Sequence, residues 1–145
     1  MSRQAGPCRS CRTLGVRGNA VDWEPISEAG LWDRIIAAEA RMDPEVARFW
    51  EGVRVPPEKW AQHPYGDVGG GFWVVGLVGT TVLWFNDIED GFNSSRYVKL
   101  GHIDEYWCDQ HELDVALVRL LTQIKDGTPM LGRASEPKSG AYRDA

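Results

Sequence analysis

Several things are scarce in this chain, and each scarcity excludes a class of protein. Cysteine is one: there are three in 145 residues, Cys8, Cys11 and Cys108. An odd number with no export signal fits reduced thiols better than a disulfide framework. Long apolar runs are another. The longest candidate, Phe72 to Phe85, is broken by Gly76 and Gly79 and falls short of the ~20 residues that span a bilayer, so no membrane partner is expected. The N-terminus is basic but has no apolar stretch behind it. It does not read as a secretory signal, and the default compartment is the cytoplasm. Nucleophile signatures are missing too: no Gly-x-Ser-x-Gly elbow occurs, and the histidines are only His63, His102 and His111. Gly69-Gly70-Gly71 precedes a strand pattern instead of opening a helix, so it lacks the geometry that turns backbone amides toward a phosphate.

What is present is a globular composition with an uneven charge. Hydrophobic residues make up 43% and charged residues 26%, which is inside the range of chains that bury a core. The net charge of −5 hides a partition. Residues 1–20 hold four arginines and no acid. Residues 21–127 hold nine basic and nineteen acidic residues, a balance of −10. Such a body repels phosphate backbones, which disfavours nucleic acid, and attracts a basic protein. The plainer reading of the same charge is solubility.

Length and pattern imply one domain. Residues 1–21 read as a disordered basic extension, residues 22–127 as a single α+β domain, and residues 128–145 as a flexible tail. A helix is predicted from Ser27, as N-cap, to about Met42, with Leu31, Trp32, Ile35 and Ile36 on one stripe. Asp43-Pro44-Glu45 begins a second helix that Gly52 is expected to stop. Val55 to Trp60, with two prolines, reads as a turn or a further helical turn. Phe72–Val78 and Thr81–Phe85 are aromatic and β-branched, and Gly79-Thr80 between them is a hairpin turn. Both runs are apolar almost throughout, so both faces of the sheet need cover. A polar loop from Asn86 to Ser95 leads to a third strand at Arg96–Leu100. The closing helix is expected to be capped by Asp109, with Glu112 completing a capping box and Leu113, Leu117, Leu120, Leu121 and Ile124 inside. The architecture is therefore N-terminal helices, an antiparallel sheet of about three or more strands, and a C-terminal helix.

Chemistry-bearing groups are few. Cys8-x-x-Cys11 and Cys108-x-x-His111 supply four zinc-type ligands, but the pairs lie far apart in sequence, and no metal or cofactor is expected. Asn86 to Asn93 imitates a calcium loop, yet Ile88 stands at the third position and Tyr97 at the twelfth, where oxygen donors belong. Asp87, Glu89 and Asp90 crowd one loop. Asp104, Glu105, Tyr106 and Trp107 form a second acidic-aromatic group. Aromatics rimmed by charge suit a partner-binding surface, while Trp107 packing under the last helix is the duller alternative. A small hydrolase using Asp87 to Asp90 is the competing functional reading. Nothing in the pattern sets an oligomeric state.

From Gly70-Gly71-Phe72-Trp73-Val74-Val75, through Trp84-Phe85-Asn86-Asp87-Ile88-Glu89-Asp90-Gly91-Phe92, to the helix at Asp109, the chain resembles a group of small uncharacterised bacterial proteins. In layout, over residues 27–124, it is similar to the SMI1/KNR4 superfamily, whose bacterial members are largely immunity proteins. The resemblance implies a non-catalytic protein-binding module; on the acidic-aromatic pattern of the chain itself, Asp87, Glu89, Asp90 and Asp104 to Trp107 are the expected contact residues.

Overall fold

The computed structural model describes residues 23–127 and 133–135. The expected extension at 1–21 lies outside the described residues, as do Cys8 and Cys11 of the zinc reading. Helix α1 runs Glu28–Glu39, and Ser27 caps it by accepting the Gly30 amide at 3.0 Å. Helix α2 runs Pro44–Val53, capped by Asp43, whose carboxylate accepts the Val46 amide at 2.9 Å. Gly52 lies inside α2 and does not stop it. The chain instead turns extended at Arg54.

Four strands follow: β1 Arg54–Trp60, β2 Phe72–Val78, β3 Thr81–Asn86 and β4 Gly91–Arg96, all antiparallel in the order β1-β2-β3-β4. Two sequence expectations are corrected here. Val55 to Trp60 is a strand, not a turn. It tolerates Pro56 and Pro57 because β1 is an edge and its register slips between Arg54 and Glu58, where no ladder amide is required. The strand after β3 is Gly91–Arg96, within the stretch expected to be loop, and residues 97–100 are not strand. Asn93, Ser94 and Ser95 have poor strand propensity, but they are buried and bonded laterally, and tertiary context overrides propensity. The Gly79-Thr80 hairpin forms as expected, with Gly79 at φ +60. Helix α3 runs Leu113–Asp126 and ends at Gly127 in the left-handed conformation. Its N-cap is Glu112, without a side-chain cap, and Asp109 is occupied elsewhere.

The sheet is the middle of three layers. On one face, Val75, Leu83, Phe85 and Phe92 pack against Leu31, Ile35 and Ala38 of α1, Val46, Trp50 and Val53 of α2, and Leu113, Ala116 and Leu117 of α3. On the other face, Trp60, Phe72, Val74, Val82 and Trp84 lie under Ile103, Tyr106 and Cys108, with Trp23, Tyr65 and Tyr97 closing the rim. A bulge between Val74 and Gly76 changes the phase of β2, so Val75 serves the helix face and Leu77 the loop face. Both faces of the all-apolar strands are thus covered by the chain itself. Cys108 is buried and disulfide-bonded, contrary to the expectation of reduced thiols. Within the stretch read as a flexible tail, residues 133–135 are bonded to the body: Ala134 exchanges bonds with Cys108 and Asp109, and Ser135 pairs with Trp107. Among the described residues, no helix is long and apolar enough to cross a membrane.

Candidate functional site

The seven contact residues expected from the sequence separate into three places. Asp87 and Asp90 stand at the end of β3. Asp87 Oδ2 accepts the Ile26 amide at 2.8 Å, and the Asp87 carbonyl accepts Trp23 Nε1 at 2.8 Å. Burial pushes the Asp87 carboxyl above its ordinary value, opposed by the Ile26 hydrogen bond and the charge of Lys59. Asp90 is exposed, has φ +65, and pairs with Arg34 at 2.6 Å.

Glu89 and Tyr106 form the second group and are buried. That removes them from any docking surface, a correction to the sequence reading. Glu89 accepts Gln110 Nε2 at 2.9 Å. Tyr106 stacks on Tyr65 with ring centroids 4.2 Å apart and lies against Phe72 and Trp84. Burial pushes its phenol well above its ordinary value. The turn that holds this group hangs on Asn86, which is fully buried. Its Oδ1 accepts the amides of Ile88 and Glu89, and its Nδ2 donates to the Trp107 carbonyl at 2.9 Å.

Asp104, Glu105 and the Trp107 ring form the third group, beyond the other end of β4. Asp104 accepts the Val98 amide at 2.7 Å, and Glu105 Oε1 accepts the Arg96 amide at 2.9 Å. The Trp107 ring carries the Arg133 guanidinium at 4.0 Å from its centroid. These carboxylates act chiefly as acceptors that pin loop amides, the same use a turn makes of Asp or Asn. The two acidic clusters therefore do not merge into one patch.

The structure instead gathers an acidic-aromatic corner around Asp87 that sequence spacing did not indicate. A Cβ added at Gly69 would meet the Trp23 ring at 3.1 Å, so only glycine lets the chain pass this close; Lys59 Nζ donates to the Gly69 carbonyl at 2.7 Å, and the same ammonium lies 5.4 Å from the Trp73 ring centroid. Trp73 Nε1 in turn donates to the Ile26 carbonyl. This strapping presents Val68, 81% exposed, with Pro25 and the half-exposed rings of Trp23 and Trp73. Glu24, Glu58, Asp67 and Asp90 stand exposed on the segments that build the corner. Trp23 and Val68 were missed because they belong to separate loops with no period. The Trp content alone could have flagged Trp23.

A cleft of about 220 Å³ lies along the β4 edge, lined by Ser94, Arg96, Glu105, Trp107, Gln123 and Arg133 among others. Arg133 is held by Asp109 at 3.2 Å and donates to the Ser94 carbonyl at 2.6 Å. Burial lowers its pKa, offset by Asp109. His111 nearby is likewise lowered by burial, with Asp109 opposing and Arg119 and Arg133 adding to the shift. Among the described residues, no three His, Cys, Asp or Glu side chains are grouped to hold a metal ion. No family model, no curated protein and no solved structure matches the chain.

Proposed function

We propose that this chain is a non-catalytic protein-binding module of the immunity type, and that its partner is a basic protein. The observation that carries the reading is the corner where exposed Val68 and Pro25 stand by the part-buried rings of Trp23 and Trp73, with exposed carboxylates on the segments that build it. Aromatic anchors give desolvated contact, and the acidic rim steers a basic partner and sets its orientation. The −10 balance of residues 21–127 extends that field beyond the rim. Catalysis by the Asp87 loop is not favoured, because Asp87 and Glu89 are spent on Ile26 and Gln110. A bacterial setting belongs to this proposal, but the disulfide at Cys108 favours an oxidising compartment over the cytoplasm expected from the sequence, which cell fractionation tests.

The test uses a partner recovered by affinity capture and then purified. Asp67 and Asp90 are exposed, so the double variant Asp67→Lys/Asp90→Lys keeps the fold. It slows association at low salt about tenfold or more and flattens the salt dependence. Val68→Ser speeds dissociation. An association rate unchanged in the folded double variant sinks the assignment.

A further inference from the structure

The β4 cleft lies toward the Arg96 end of β4, away from the Asp87–Asp90 turn that enters it, and its chemistry is of the opposite kind. In an antiparallel pair, alternate residues direct both backbone groups away from the partner strand. The Phe92 amide goes outward to the His111 carbonyl, the Arg96 amide outward to Glu105, and the Ser94 carbonyl outward to Arg133. The Ser94 amide, midway between them, therefore points outward into the cleft. Among the described residues it has no acceptor, although Ser94 is buried. A buried backbone donor left unpaired costs roughly 1–3 kcal/mol, and such groups are rare in folded proteins.

The groups around that amide are mostly donors. The Arg133 guanidinium bridges from the Trp107 face to the Ser94 carbonyl. Arg96 and the Gln123 side chain line the wall. Among the described residues the one lining carboxylate is Glu105, whose Oε1 is occupied by the Arg96 amide at 2.9 Å and Trp107 Nε1 at 3.4 Å. On an acidic body, a cleft with two lining arginines and an inward amide is the local site for an acceptor of negative charge. We propose that this cleft binds a carboxylate, seated on the Ser94 amide and Arg133, with a few carbon atoms lying against Trp107. Its volume of about 220 Å³ suits a small organic acid or the C-terminus of a peptide.

The two sources are separable. The full chain, labelled with nitrogen-15, is titrated with sodium acetate, with glycylglycine and with glycylglycinamide, at ionic strength held constant with sodium chloride. Saturable shifts at the Ser94 amide and the Trp107 indole N–H are expected for acetate and glycylglycine, and none for the amide. Glycylglycine binding at least tenfold tighter than acetate identifies a peptide terminus; comparable binding identifies a small organic acid. Arg133→Lys is expected to weaken binding at least tenfold. Because that change also touches buried Asp109, Gln123→Glu serves as a second variant. It adds a like charge on a half-exposed helix face and is expected to weaken binding at least fivefold. Shifts that never saturate, that appear equally with glycylglycinamide, or that persist unchanged in Gln123→Glu overturn the proposal.

Discussion

The two faces of the sheet are covered by different means. The helix face meets elements whose backbone bonds are already made, so its cover needs only apolar side chains: Leu31, Ile35, Leu113 and Leu117 meet Val75, Leu83 and Phe85. The loop face meets residues 97–111, where the chain has little ladder of its own. Its amides and carbonyls must find side-chain partners. Asn86 takes the Trp107 carbonyl, Asn93 brackets Asp109 through both its amide and its carbonyl, Ser95 donates to the Glu105 carbonyl, and Asp104 holds the Val98 amide. A loop layer is thus held chiefly by Asn86, Asn93 and Ser95 buried beneath it, where a helical layer is held by periodic apolar residues.

That contrast can be broken at its centre. Asn86→Ala removes the three bonds that Asn86 makes to the Ile88 and Glu89 amides and the Trp107 carbonyl at a fully buried position, and a cost of about 3 kcal/mol or more is expected. Leu117→Ala on the helix face costs about 2–5 kcal/mol through its cavity. Denaturant unfolding of both measures the comparison, and an Asn86→Ala cost below about 1 kcal/mol removes the argument that polar side chains hold the loop layer.

Gly91→Ala probes the closest approach between β4 and the covering segment. A Cβ there meets the Asp109 carbonyl and the Gln110 Cα directly, so the segment must move. A loss of about 1–3 kcal/mol is expected, with hydrogen exchange quickening at residues 105–111 while α1 and α3 stay protected. Equal quickening on both faces means the layers are not separable.

A smaller effect is the pH dependence contributed by His111. Burial lowers its folded pKa below the ordinary 6.5, so between the two values the unfolded chain binds more protons. Its contribution is therefore complete above the ordinary value and is lost as pH falls through that window. Asp87, raised by burial above the ordinary 3.8, has the opposite sign, because its folded state holds the proton longer. A folded His111→Gln variant is expected to flatten the stability profile as pH falls below the ordinary imidazole value of 6.5. An unchanged slope argues that His111 is solvated. Smallest of all is Asp90→Lys, which loses an exposed pair with Arg34 and shifts stability by no more than about 0.5–1 kcal/mol.

Sequence reading succeeded where bonding is local. Ser27 and Asp43 cap their helices, Gly79-Thr80 turns the hairpin, and the Leu113–Leu117–Leu120 stripe lies in the core, because caps, turns and helical periods are set within a few residues. It failed where a residue's role depends on a distant partner. Gly91–Arg96 is a strand because residues 105–111 and Arg133 take up the Phe92 and Arg96 amides and the Ser94 carbonyl of its outer edge, and β1 is a strand because an edge with a register slip tolerates two prolines. Candidate contact residues divided along the same line. The sequence alone determined that acids and aromatics are abundant and that the body is strongly negative. Only the tertiary structure decided that Glu89 and Tyr106 lie inside, that Asp87 joins Trp23 and Ile26, and that Val68 is presented beside them. Burial and long-range hydrogen bonds belong to pairs of segments, and no local pattern in either segment records its partner.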